Sequence, residues 1–324
     1  MKMIDQRTSV ENLFSAVRGM ALAENTRKAY RKGWACFAEY CRRAGIADPL
    51  TVSPETVASF LISLTTQGSP KSGQILSMGT VTLYASAITK RYVSAGLSSP
   101  TRHPTVTATL KGLARLKGTA PRQVMALREN HIEAMLAQCP DTAIGCRDAA
   151  ILALGFAAAL RRSEICALRV SDINIVEPGQ GAPRRMLLTI RRSKTDQTGK
   201  GHRIAVPEGK VIRPIQRLKT WLLKSNIRRG PLFQSMKRGG YIQGKPLHHS
   251  DIPRLLKHYA AGIGLDPESV SGHSLRAGFV TSAVAHHARL DKIMEVTRHR
   301  NPASVMKYVR DANSFEDHAG ENFL

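Results

Sequence analysis

Apolar residues recur along residues 1–118 at the spacing of helix faces. Tyr30, Trp34, Phe37 and Cys41 fall on one side of a helix that Asn25 or Thr26 is placed to cap, and Arg27, Lys28, Arg31 and Lys32 lie largely on another side. Ser53-Pro54 reads as an N-cap and first helical position, and Val57, Phe60, Leu61 and Leu64 follow at helical spacing. Val81, Tyr84, Ile88 and Tyr92 make a third stripe. Val106, Leu110 and Leu113 make a fourth, with Lys111, Arg115 and Lys117 turned away from it. Gly, Pro and Ser punctuate 68–73 and 96–104. The pattern predicts a small four-helix domain with basic outer faces.

From Gly118 to Gln123 the chain carries breaker residues, so a linker is expected over 119–126, between domains at 1–118 and 127–324. Helices are expected over 128–139 and 146–160. Short apolar strands follow at 186–190 and 203–206, flanking a Gly-containing polar loop over 195–201 that suits a hairpin turn. From Val211 the pattern returns to helix, with Ile215, Leu218 and Leu222 on one face, and further helices are expected at 251–263, 274–287, 291–298 and 303–310. The expected class is mainly α with a small β-hairpin or sheet, in two domains.

Charge narrows the partners. Among 324 residues there are 48 Lys and Arg against 24 Asp and Glu, a net charge of +24 and a pI near 10.4. Such an excess favours a polyanion, above all nucleic acid. The five cysteines are odd in number and include no Cys-x-x-Cys pair, which fits reduced thiols in the cytoplasm. The N-terminus leads into no apolar run of signal length, and the stretch Ala149–Leu160 is too short to span a bilayer, so no membrane partner is expected.

The chemistry-bearing residues then read in order. Arg161 follows the apolar helix directly, where a guanidinium needs an anionic partner, and Glu164 is placed to orient it or Arg162. Lys194 enters the hairpin turn, where a lysine can serve as a mobile general acid. His273 and Arg276 are three apart at the start of a helix, and a guanidinium holds two phosphate oxygens in a fork. His299 lies in a break between helices, and Tyr308 follows nine residues later. Arginines and a lysine bind a phosphate, histidines move or share its protons, and a tyrosine activated by them attacks it. The set points to covalent phosphoryl transfer.

In that order and spacing these residues resemble the tyrosine recombinases of the phage-integrase family, with a Cre-like layout, and the resemblance covers almost the whole chain. It implies a C-shaped two-domain DNA clamp: a helical, SAM-like core-binding domain followed by an α+β catalytic domain with a C-terminal tail. It implies that Tyr308 attacks a DNA phosphodiester and becomes joined to the 3′-phosphate. Arg161 and Arg276 would bind the non-bridging oxygens, with Glu164 as the acidic companion of the first arginine. His273 would assist proton transfer, His299 would hydrogen-bond a phosphate oxygen, and Lys194 would protonate the leaving 5′ oxygen. Phosphate contacts are expected from Arg27, Lys28, Arg31, Lys32, Lys90, Lys111 and Arg115. The expected partner is double-stranded DNA with inverted half-sites, bound by a dimer per site and a tetramer in synapsis, in the cytoplasm at the nucleoid. No cofactor and no metal are expected. Two positions depart from the family pattern: Arg298 stands where many members have glycine, and Ala277 where many have histidine. Those departures keep a catalytically silent DNA-binding protein in view, and the shared tyrosine chemistry does the same for a type IB topoisomerase-like enzyme.

Overall fold

The computed structural model describes residues 22–118, 124–176, 184–191, 201–237 and 239–312. The chain divides into two compact units, Met1–Arg122 and Gln123–Leu324.

Four α-helices build the first unit among its described residues: α1 (Glu24–Arg43), α2 (Pro54–Thr66), α3 (Met78–Ser94) and α4 (Pro104–Lys117). The expected stripes form its core, with Phe37, Phe60, Leu61, Leu64, Val81, Ile88 and Val106 wholly buried. Phe37 and Phe60 meet with ring centroids 5.0 Å apart. Gly33 lets α3 approach α1, because a Cβ there would stand 2.8 Å from Tyr84 Cδ1. Ser53 caps α2 by accepting from the Thr56 N–H. Neither Asn25 nor Thr26 caps α1. The helix starts one residue earlier, at Glu24, and Ala23 holds the cap position without a side-chain bond. Glu24 instead pairs with Lys28 one turn on, at 2.7 Å.

The second unit is organised around α6 (Ala143–Ala157), preceded by α5 (Glu129–Ala137). With Ile151, Leu152 and Leu154 fully buried, α6 packs against α8 (Pro214–Ser225) and α10 (Ser274–Ala285). Between α6 and α8 lie the short α7 (Arg162–Ala167) and an antiparallel sheet of β1 (Ile173–Val176), β2 (Arg185–Ile190) and β3 (His202–Pro207), in that order. The expected hairpin is β2–β3, with Met186 opposite Val206 and Leu188 opposite Ile204. The third strand, β1, was not expected. A second unexpected hairpin joins β4 (Gln234–Met236) to β5 (Ile242–Pro246). The helix expected from Val211 begins at Pro214, whose fixed φ suits a first helical position. The helices α9 (Asp251–Gly262), α11 (Leu290–Thr297) and α12 (Ala303–Ala312) complete the unit. Among the described residues, no helix is long and apolar enough to cross a membrane.

Candidate active site

The C-terminal end of α6 forms the floor of the site. Ala159 takes the left-handed conformation (φ 47°), its N–H bonds to the Phe156 carbonyl at 2.9 Å, and the Leu160 N–H reaches back to Gly155 at 2.9 Å. This Schellman ending stops the helix just before Arg161 and turns the Ala158 and Ala159 carbonyls toward the guanidinium groups of Arg276 and Arg298. Those carbonyls stand at the negative pole of the helix dipole, which favours cations. Arg276 Nη1 donates to the Ala159 carbonyl at 3.0 Å, and its Nη2 donates to the Thr297 carbonyl. Arg298 reaches the same turn, with Nη1 and Nη2 each 3.4 Å from the Ala158 and Ala159 oxygens.

Glu164 ties the arginines together. Its carboxylate accepts from Arg161 Nη1 at 2.7 Å, from the Arg161 backbone N–H at 2.8 Å and from Arg298 Nη2 at 2.7 Å. Of the two arginines offered for Glu164 by the sequence, the structure selects Arg161. Exposure of the Glu164 and Arg298 side chains is 1% and 5%, so the pair is out of water. One carboxylate among Arg161, Arg276 and Arg298 leaves the pocket strongly cationic. Burial, then Arg161 and Arg298, holds Arg276 well below its ordinary range, at about 9, and still charged at neutral pH. Nearby Tyr308 acts in the opposite direction, since its ionised form would favour the guanidinium charge.

His299 sits in the turn after α11, with Nδ1 2.8 Å from the Thr297 hydroxyl. Burial first, then Arg276, Arg161 and Arg298, pushes its pKa down to about 4, so the ring is uncharged at neutral pH. Tyr308 is half-buried on α12, packed against a small apolar cluster of Val280, Val284, Ile293 and Val305 that fixes α12 on α10 and α11. His273 holds the N-cap position of α10 and is exposed, whereas Arg276 in the next turn is 5% exposed and directed inward. The two are neighbours along the chain but differ sharply in solvent contact. Lys194 and the tail after Ala312 lie outside the described residues.

The structure adds two residues that sequence reasoning did not assign, Arg298 and Thr297. Arg298 was noted only as a departure from glycine. Its φ of 59° explains why glycine suits the position, and its side chain folds back to pair with Glu164. Thr297 is fully buried between Arg276 and His299. A polar residue closing an amphipathic helix before a histidine was the available signal.

Among the described residues, no group of three or more His, Cys, Asp and Glu is placed to hold a metal ion. On the first unit, Arg27, Lys28, Arg31, Lys32, Lys90, Lys111 and Arg115 are all exposed. Lys28, Arg31, Lys32 and Lys71 line one side-opening cleft of about 460 Å³.

Buried Arg276 and Arg298, an uncharged histidine and a nearby tyrosine make a pocket whose chemistry suits a phosphate group. Residues 125–314 match the phage integrase family. The chain is 31% identical over 303 residues to the integrase/recombinase xerD homolog of Selenomonas ruminantium, covering 92% of this chain and 84% of that one. It is 31% identical over 195 residues to the tyrosine recombinase XerD of Xanthomonas axonopodis pv. citri, covering 56% of this chain and 57% of that protein. Its fold is similar to that of the XerH site-specific recombinase solved as a post-cleavage complex on palindromic difH substrate, with a TM-score of 0.65, 19% identity, and coverage of 91% and 79%. The chain belongs to the phage integrase family. It is a tyrosine recombinase, an enzyme of site-specific DNA recombination.

Proposed function

We propose that this chain cuts and rejoins DNA through a 3′-phosphotyrosyl intermediate, with Tyr308 as the nucleophile and paired inverted half-sites as the substrate. The observation that carries the reading is the convergence of Arg161, Arg276 and His299 on one cationic floor, with Tyr308 beside Arg276. A phosphodiester placed there meets guanidinium donors on its non-bridging oxygens, where charge builds as the fifth oxygen approaches. Glu164 and the α6 carbonyls hold those guanidiniums still before substrate arrives, so little reorganisation is left for the reaction itself.

His273, on the exposed start of α10, assists proton movement, and Lys194 protonates the departing 5′ oxygen. Because one ester replaces another, the free 5′-hydroxyl of a second strand can reverse the step and complete exchange. The basic helices of the first unit supply phosphate contacts along the duplex. The protein works as a dimer on each site and a tetramer when two sites pair, in the cytoplasm where the DNA is.

The test begins with duplexes selected from a random pool by binding to this protein. A nicked version of the selected duplex traps any covalent product. A denaturation-resistant adduct that maps to Tyr308, and is absent from a Tyr308→Phe variant that still binds, supports the reading. Adduct on another side chain, or none under conditions of proven binding, overturns it.

A further inference from the structure

Glu164 Oε2 has two lone pairs, and both are taken. It accepts the Arg161 backbone N–H at 2.8 Å and Arg298 Nη2 at 2.7 Å. The other oxygen, Oε1, accepts Arg161 Nη1 at 2.7 Å. The Arg161 side chain is therefore held at one nitrogen, and among the described residues its Nε and Nη2 bond to nothing. A guanidinium beside a carboxylate often closes a two-point fork on both oxygens. Arg298 stands where that fork would find its second acceptor.

Arg298 is held there against several opposing effects. Its backbone is left-handed at φ 59°, and its buried Nε has no partner among the described residues. Burial lowers its pKa, with Glu164 acting the other way and Arg161 adding to the lowering. None of these effects falls on glycine, the residue many family members have at this position. A strained, buried cation beside a like charge points to a role other than stability. We infer that Arg298 is a positioning residue: by closing the second oxygen of Glu164 it denies Arg161 a fork, and so keeps Arg161 Nε and Nη2 open for the non-bridging oxygens of a phosphodiester. Its own side chain is only 5% exposed, so Arg298 acts through Arg161 and not on the phosphate.

The same guanidinium reaches the anchor of the other arginine. Arg298 Nη2 is 3.4 Å from the Ala159 carbonyl, which also accepts Arg276 Nη1 at 3.0 Å. The preceding residue, Thr297, gives its carbonyl to Arg276 Nη2. The turn after α11 thus shares an acceptor with Arg161 and two with Arg276, and it holds both guanidiniums before substrate arrives. Three guanidiniums against one carboxylate also leave positive charge in excess, where negative charge builds on the phosphate.

The inference rests on the reading that Arg161 binds a phosphodiester under attack by Tyr308, and two measurements keep the two apart. The first is a pair of crystal structures without DNA, of wild type and of Arg298→Gly. If the glycine variant fails to fold, Arg298→Met, which keeps the bulk without the charge, takes its place. In the variant, Oε2 is left buried with an open lone pair, and Arg161 is expected to swing Nε or Nη2 onto it. An Arg161 that stays on one oxygen in the variant, or is already forked in wild type, overturns the inference without touching the function. The second is the rate of adduct formation on the nicked selected duplex, at a temperature where circular dichroism shows each variant folded. Arg298→Gly and Arg298→Met should be slower by roughly ten- to hundredfold while duplex affinity holds. Arg298→Lys should recover most of the rate, because an ammonium still closes Oε2, although it cannot also span the Ala158, Ala159 and Val296 carbonyls. A merely structural role predicts rates that follow stability, with lysine no better than methionine. That outcome, or a glycine variant as fast as wild type, overturns the inference and leaves the tyrosine chemistry intact. Absence of wild-type adduct under conditions of proven binding counts against the function, and the crystal structures still decide how Arg161 is held.

Discussion

Arg298 Nη2 and Glu164 Oε2 lie 2.7 Å apart in the interior, joining the turn after α11 to the helix that carries Arg161. The contact makes Glu164 the shared anion of two guanidiniums. Removing one partner of such a pair leaves a buried charge with half its compensation, at a cost of about 3–5 kcal/mol. Part of that loss depends on the replacement. Arg298 has φ 59°, a conformation that penalises any Cβ. Arg298→Gly is therefore expected to be more stable than Arg298→Ala by about 1 kcal/mol, although it removes more atoms. Urea denaturation of the two variants measures the difference. An alanine variant at least as stable as the glycine variant would show that the left-handed turn is not held in solution.

His299 links stability to pH with a definite sign. Its folded pKa of about 4 lies below the ordinary 6.5, so the unfolded chain binds more protons between those values. The contribution is fully present above pH 6.5 and is lost as the pH falls to 4. Replacing His299 by Gln removes the titrating group, so wild type should lose more stability than His299→Gln over that window. Denaturation midpoints at pH 7 and pH 4.5 check it, and parallel losses in the two proteins would contradict the depressed pKa.

Arg161, Arg276, His299 and Tyr308 stood out in the sequence by residue type and order, and the fold brings them near one another; the apolar stripes on α1 to α4 located a core that depends only on periodicity. What stayed hidden depends on contacts distant in the chain. Glu164 is shared by Arg161 and by Arg298, 134 residues away, and Arg298 is turned toward it where α11 ends in a left-handed residue. The strand Ile173–Val176 is four residues long and owes its form to pairing with β2 rather than to its own pattern. Ile242-Gln-Gly-Lys-Pro shows no alternation at all, and only its pairing with Gln234–Met236 makes it a strand. The caps at Asn25 and Thr26 failed for a local reason: Glu24 already serves the first turn, where a carboxylate suits the helix dipole.

Gly278 tests how closely α10 must seat. A Cβ at this position on α10 would stand 1.8 Å from the Leu127 carbonyl oxygen, in a segment that bonds to the start of α10 through Leu127 N–H and the Ser274 carbonyl at 3.1 Å. Backbone cannot rotate away as a side chain can, so Gly278→Ala must displace α10 or the segment. The expected loss is about 1–3 kcal/mol. Since α10 carries Arg276, adduct formation should fall with stability. A variant that keeps its full adduct rate at a temperature where it is folded would separate the seating of α10 from the placement of Arg276.

The exposed cations on α1 make a prediction about salt rather than about chemistry. Lys28, Arg31 and Lys32 line one cleft with Lys71, far along the chain from Arg161 and Arg276. If they bind backbone phosphates, each releases a counterion when DNA binds, and the plot of log affinity against log salt steepens by about 0.9 per contact. Arg31→Ala and Lys32→Ala should each weaken binding on all duplexes alike and make that slope shallower by about one. Lys28 is already paired with Glu24 at 2.7 Å, so Lys28→Ala should change the slope less. Titrations of each variant at several salt concentrations decide the matter. A variant whose affinity drops on the selected duplex alone, with its slope unchanged, would mean that the side chain reads bases instead.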